Sequence, residues 1–266
     1  MSPEETLPPP THVWRPPELP PGARPHRIVV EYDGTDFSGW QRQPGMRTVQ
    51  GCLEDALRDM TGESVFVRGA GRTDAGVHAD GQVASFPLVA RIPPYGLMRG
   101  LNSLLPDDVA IIDVAEVDAS FDARFSARGK VYRYTVWNHV VRSPRNARTS
   151  WHVRQALDMA AIVDAAARLV GEHDFRAFRA ADCDRRTTRR LLRRLDVDRQ
   201  GARLSFDVEA TAFLKNMVRI LVGTLVDVGR GRVAGEAIAR MLETGDRTAG
   251  GVTAPARGLT LLRVLY

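Results

Sequence analysis

Lysine is almost missing from this chain: of its 37 basic residues only Lys130 and Lys215 are lysines, and the rest are arginines. Two readings of that bias stand side by side. A GC-rich coding sequence replaces Lys with Arg across a protein, and planar guanidinium groups are selected where phosphates are gripped through two parallel hydrogen bonds. Cysteine is equally scarce. Cys52 and Cys183 lie far apart without metal-ligand spacing, which argues against a disulfide framework and a thiolate metal site. No apolar run approaches the roughly 18 residues that suggest a membrane span, and the N-terminus lacks the basic-then-apolar pattern of a secretory signal. The expectation is a soluble cytoplasmic protein. With 44% hydrophobic and 26% charged residues over 266 positions, the composition is that of a folding globular chain, long enough for one large domain or two small ones.

What is present is positive charge, +5 overall, and it is clustered. Ten arginines fall between Arg176 and Arg203 against four acids, Asp182, Asp184, Asp196 and Asp198. A polyanion is the partner such a cluster fits.

Nine of the sixteen prolines stand in residues 1–25, which read as a disordered or polyproline-II arm. From His26 the pattern becomes globular. Strands are expected at Arg27–Glu31, Ser64–Arg68, Gln82–Phe86, Val109–Val117, Val131–Trp137 and Leu259–Val264, with a hairpin Leu191–Val197 and Arg203–Ala210 around Gln200-Gly201. Helical spacing predicts helices over Thr48–Met60 with Thr48 as N-cap, Pro94–Leu104, Leu157–Val170 closed by Gly171, Phe213–Val228 and Val233–Leu242. These fall into two comparable sets, so the expected fold is α+β: a half over 26–120 and a half over 121–266, joined near Ala119–Arg128, with mixed, mainly antiparallel sheets and a cleft between them.

The segment Gly69-Ala-Gly-Arg-Thr-Asp-Ala-Gly76 bridges two expected strands as a tight loop. It is no dinucleotide fingerprint, because Asp74 stands where the third glycine belongs and a strand follows instead of a helix. Nor is it a P-loop, since Val77 and His78 replace the required Lys and Ser or Thr. Six scattered histidines, none at ligand spacing, disfavour a zinc base deaminase. One carboxylate remains on a glycine-bounded loop. Asp74 is either an Asx-turn residue or the nucleophile or base of a cofactor-free reaction, approached closely through the glycines around it.

Four segments in this order and spacing carry a resemblance to the bacterial tRNA pseudouridine synthase A family. They are Glu31-Tyr-Asp-Gly-Thr-Asp-Phe-Ser-Gly-Trp-Gln-Arg-Gln43, Gly71-Arg-Thr-Asp-Ala-Gly-Val-His78, Phe121-Asp-Ala-Arg-Phe-Ser-Ala127 with Tyr132-Arg-Tyr134, and Asn216-Met-Val-Arg-Ile-Leu-Val-Gly223. The terminal Ala254-Pro-Ala-Arg-Gly-Leu259 fits as well; the proline-rich arm does not belong to the pattern. The resemblance implies the pseudouridine synthase fold with a basic active-site cleft. It makes Asp74 the catalytic aspartate that attacks the target uridine, at the uracil ring or at the ribose anomeric carbon. Arg219 matches the active-site basic residue, placed to favour the ionised, nucleophilic carboxylate. Tyr132 matches the substrate-contacting tyrosine, whereas ordinary strand packing suits Tyr134 better. Arg72 matches the residue linked to base flipping, and it also suits an ion pair that holds the loop.

The resemblance further implies tRNA contacts at Phe121, Asp122, Ala123, Arg124 and Phe125 and at Asp182, Cys183, Asp184, Arg185 and Arg186. Targets would be uridines at about positions 38 to 40 of the anticodon stem-loop, read by RNA shape. It implies a homodimer and no metal or cofactor, because isomerisation leaves nothing to supply or remove. Tyr32 to Gln43 reads as a strand end and glycine turns with Trp40 as a core anchor, a structural segment. Two alternatives compete: a catalytically silent RNA-binding protein in which Asp74 only makes a turn, and a pseudouridine synthase with another RNA target.

Overall fold

A computed structural model describes residues 18–266; residues 1–17, most of the expected proline-rich arm, lie outside the described part. Pro20 to Ala23 makes a turn, with Ala23 N donating to Pro20 O at 2.9 Å, and leads directly into the first strand. That strand, β1 (Arg24–Tyr32), starts inside the segment assigned to the arm, because Arg24 and Pro25 pair with Leu88 and Pro87.

The remaining elements follow in order. They are α1 (Val49–Thr61), β2 (Arg68–Gly69), β3 (His78–Leu88), α2 (Pro94–Leu104), β4 (Val109–Glu116), β5 (Gly129–Asn138), β6 (Trp151–Val153) and α3 (Met159–Ala167). Then come β7 (Gly171–Asp174), β8 (Arg189–Gln200), β9 (Arg203–Ala210), α4 (Met217–Gly229), α5 (Ala237–Thr244) and β10 (Leu259–Leu265). All ten strands form one sheet, in the order β4-β1-β3-β10-β5-β9-β8-β7, with β2 added to β3 and β6 to β5. The architecture is α+β and the sheet is mixed, antiparallel except where β10 runs beside β3 and β6 beside β5.

Local chemistry explains the element ends. Thr48 caps α1 by accepting from Gly51 N, and Gly62, in the left-handed region at φ 75°, closes it. The helix expected from Leu157 starts only at Met159, where the Asp158 carboxylate accepts from Ala161 N; Gly171 opens β7 instead of closing a helix. The helix expected from Phe213 starts at Met217 because Asn216 stands in the left-handed conformation (φ 61°). The one expected from Val233 starts at Ala237, since Arg232 N and Val233 N are held by Asp227 O. The strand expected at Ser64–Arg68 shrinks to Arg68–Gly69. Side chains take over the backbone groups there: Val67 N donates to Glu54, and the Glu63 carboxylate receives Val89 N and Ala90 N.

One register relation positions the site. Ala79, at the start of β3, lies opposite Leu261 on β10, and Leu261 lies opposite Tyr132 on β5. The β3–β10 seam joins strands from residues 26–120 to strands from residues 121–266, and the loop that precedes β3 carries Asp74. A continuous apolar core, from Ile28 and Val30 through Tyr134 and Phe206 to Leu221 and Leu225, passes beneath that seam.

Candidate active site

The loop from Ala70 to Val77 is held on both sides of Asp74 by the segment 32–40. Thr73 O accepts from Trp40 N at 3.1 Å, and Thr73 Oγ1 lies 2.8 Å from the Tyr32 hydroxyl. Val77 N donates back to Asp74 O, closing the turn. Two glycines permit this contact. A Cβ on Gly34 would stand 1.9 Å from Val77 O, and Gly39, at φ +91°, would put one 2.7 Å from Thr73 O. Tyr32 is buried, which pushes its phenol up to about 12, partly offset by hydrogen bonds with Thr73 and Gln82. Gln82 also donates to Gly71 O at 2.9 Å. The segment 31–43 is therefore the bed of the loop, in keeping with its structural reading.

With its neighbours pinned, the Asp74 carboxylate itself is left available. Asp33, Asp118, Asp122, Asp174 and Asp246 each accept from the backbone N–H two residues on, which is the Asx turn. Asp74 makes no such bond among the described residues, so its carboxylate forms no Asx turn, although its carbonyl accepts from Val77 N in the backbone turn. Its approach is from Arg219, whose Nη1 lies 3.5 Å from Asp74 Oδ2, and the Lys215 ammonium adds a favourable field. Arg219 is aimed by two further bonds, Nε donating to Ala254 O at 2.8 Å and Nη1 to Asn216 Oδ1 at 2.9 Å.

Tyr132 completes the group. It is 7% exposed, its ring meets Phe213 edge-on at 5.0 Å, and burial, helped by Tyr32 and the Asp74 charge, drives its phenol well above the ordinary range. It is a neutral, rigid aromatic at the Asp74 loop. Tyr134, fully buried on the same face of β5, donates to Pro255 O at 2.8 Å and so braces the segment that holds Arg219. His78 is no free base: Gly34 N donates to its Nδ1, and its Nε2 donates to Arg148 O at 2.9 Å.

Residues 28–126 and 165–266 match a family described as tRNA pseudouridine synthase. The chain belongs to that family. It is 48% identical over 240 residues to the tRNA pseudouridine synthase A of Geotalea uraniireducens, covering 90% of this chain and 98% of the relative. With the Myxococcus xanthus protein of that name it shares 48% over 241 residues, covering 90% and 91%, and with that of Geobacter sulfurreducens 45% over 240 residues, covering 90% and 98%.

In this tRNA pseudouridine synthase the other expected residues separate into those that face outward and those that build. Arg72 is exposed and has no ion pair among the described residues, so it does not hold the loop as a salt bridge. Asp122 is buried; it pairs with Arg68 at 3.0 Å and accepts from Arg124 N and Phe125 N. Ala123 is enclosed and receives the Tyr266 hydroxyl on its carbonyl, and the Phe121 ring meets that of Tyr266 at 5.0 Å, tilted by 48°. Together they present exposed Arg124 and Phe125. Asp182 is ion-paired with Lys215, which ties the 180–186 loop to the start of α4; Asp184, Arg185 and Arg186 are exposed, and Cys183 packs partly on the core. The reading of the sequence missed Lys215, Asn216, Ala254 and Pro255 as parts of the site. Two of them act through backbone carbonyls, which leave no side-chain signal.

Proposed function

We propose that Asp74 is the nucleophile, Arg219 its charge partner and Tyr132 the platform for the flipped uracil in a reaction on uridines at about positions 38 to 40 of the tRNA anticodon stem-loop. As a member of its family the chain isomerises uridine to pseudouridine in tRNA. The observation that carries the finer reading is a carboxylate on a pinned loop, with no hydrogen bond donated to it among the described residues, facing Arg219 at 3.5 Å. Asp74 attacks the uracil ring or the anomeric carbon; the bond between uracil N1 and ribose C1′ breaks, the base turns, C5 bonds to C1′, the proton on C5 is lost, N1 gains one, and the aspartate is released. Substrate and product have the same atoms, so the chemistry calls for no metal, nucleotide or redox carrier. Arg72 fills the gap left by the flipped base, and the exposed Arg124, Arg185 and Arg186 engage the RNA backbone. The proposal includes a homodimer, which the resemblance implies, together with the cytoplasmic setting and the halves 26–120 and 121–266 meeting at a cleft that composition and element pattern suggest.

The test is to incubate the purified protein, without added cofactor, with uridine-containing tRNA transcripts and to map pseudouridine by carbodiimide-dependent reverse-transcription stops. Stops in the anticodon arm that vanish with Asp74→Asn, while tRNA binding persists, are the expected result. Turnover by Asp74→Asn removes Asp74 from the mechanism. Stops elsewhere overturn the target, and none despite tight binding leaves a silent RNA-binding protein.

A further inference from the structure

Lys130 sits on β5 two residues before Tyr132, so both side chains leave the same face of the strand, about 7 Å apart. Its ammonium lies over the catalytic loop: a Cβ on Gly71 would stand 2.4 Å from Lys130 Nζ. Among the described residues, no carboxylate, carbonyl or hydroxyl accepts a hydrogen bond from it. The other lysine, Lys215, is paired with Asp182. The charges nearest Lys130 are those of Arg124 and Arg185, both positive, and Arg72 adds its charge at Arg124. Of the arginines around this group, Arg68 is paired with Asp122 and Arg193 with Glu209, whereas Arg190, next to Arg185, has no ion pair among the described residues. Among the described residues Arg72, Arg124, Lys130 and Arg185 therefore gather at one end of the Tyr132 face without an ion pair; the acid near Arg124, Asp122, is engaged by Arg68.

Enclosing an unpaired ammonium among like charges is unfavourable in the RNA-free protein. The arrangement becomes favourable when an anion enters, and its position indicates which anion. In a nucleotide one ribose separates base from phosphate. With uracil against Tyr132 and Asp74, a cation one strand repeat away lies level with the backbone, not with the base. We propose that Lys130, with Arg124 and Arg185, binds one of the two phosphodiesters flanking the target uridine and so holds the flipped nucleotide by its backbone. The inference rests on the proposed uridine isomerisation. Lysine suits the role as a compact point charge set close against Gly71, which has no side chain to block it.

The experiment compares the wild type with Lys130→Met on a tRNA anticodon stem-loop and on stem-loops carrying a single neutral methylphosphonate at each linkage in turn. Replacing an unpaired, enclosed charge by an apolar side chain of similar shape favours folding, so the variant is testable. The expected result is affinity about tenfold weaker with kcat within about twofold. One methylphosphonate beside the target uridine should cost the wild type the same factor and cost Lys130→Met nothing. Equal losses in both proteins at every linkage, or a fall in kcat with unchanged affinity, overturn the phosphate assignment. Competition by inorganic phosphate with no position-dependent methylphosphonate effect also overturns it, in favour of a free-anion site. If the wild type forms no pseudouridine, the proposed function falls and this inference falls with it; if the wild type turns over and Lys130→Met matches it, only the inference falls.

Discussion

Arg219 reaches Asp74 from the helix α4, 145 residues away in sequence, and its guanidinium is held by Ala254 O and Asn216 Oδ1 as it does so. The ion pair links the loop before β3 to the start of α4, and the Asp74 charge is felt at Tyr132 on β5, so the loop, the helix start and the strand act on one another. Perturbing any one of them should be read at the others.

Asn216 separates positioning from stability. Asn216→Gly keeps the left-handed backbone at φ 61° but removes the carboxamide that holds Arg219, so kcat should fall about tenfold with the melting temperature nearly unchanged. Asn216→Ala should lose the same activity and a further ~1 kcal/mol of stability from the left-handed strain. Steady-state kinetics beside thermal melts check this, and equal activity in Asn216→Gly would deny Asn216 its role.

Gly39→Ala forces a Cβ at φ +91° to within 2.7 Å of Thr73 O. The cost should be about 2–4 kcal/mol, and because Thr73 adjoins Asp74, activity should fall even where the protein is fully folded. Urea denaturation and turnover below the melting range measure the two effects separately.

Lys130 makes stability depend on pH in a predictable direction. Burial, reinforced by Arg124 and Arg185, holds its ammonium down to about 8 from 10.5. Below about pH 8 it is charged in both folded and unfolded chains, and the folded state bears the full penalty. Between about 8 and 10.5 the folded protein sheds the proton first, so the penalty fades as pH rises. Lys130→Met should therefore raise the urea midpoint of the RNA-free protein more at pH 7 than at pH 10. Tyr32 is common to both proteins and drops out of the difference. A gap that grows with pH contradicts the reading.

The exposed arginines should show themselves in salt dependence. Arg185→Gln with Arg186→Gln should flatten the plot of log Kd against log salt by about 1 to 2 units, whereas Arg189→Gln, whose side chain is already engaged by Glu172, should change it little. Filter binding of tRNA at several salt concentrations measures the slopes; identical slopes would mean that Arg185 and Arg186 are surface composition only.

Much of this was legible in the chain itself. Local rules suffice where a neighbour in sequence decides: Thr48 capping α1, Pro94–Leu104 as a helix, the Gln200-Gly201 hairpin and the glycine-bounded turn at Asp74, whereas Tyr132 and Arg219 are named in the sequence only through the family resemblance. Tertiary structure decided what depends on partners far along the chain. It cut the expected strand at Ser64 because Glu54 and Glu63 claim its neighbourhood's backbone groups, and it joined the two halves in one sheet through β10, the last strand made. It distinguished Asp74, with a carboxylate left available, from five aspartates that make turns. It also singled out Lys130, because a lysine without an acceptor looks like any other lysine until folding brings Arg124, Arg185 and Gly71 around it.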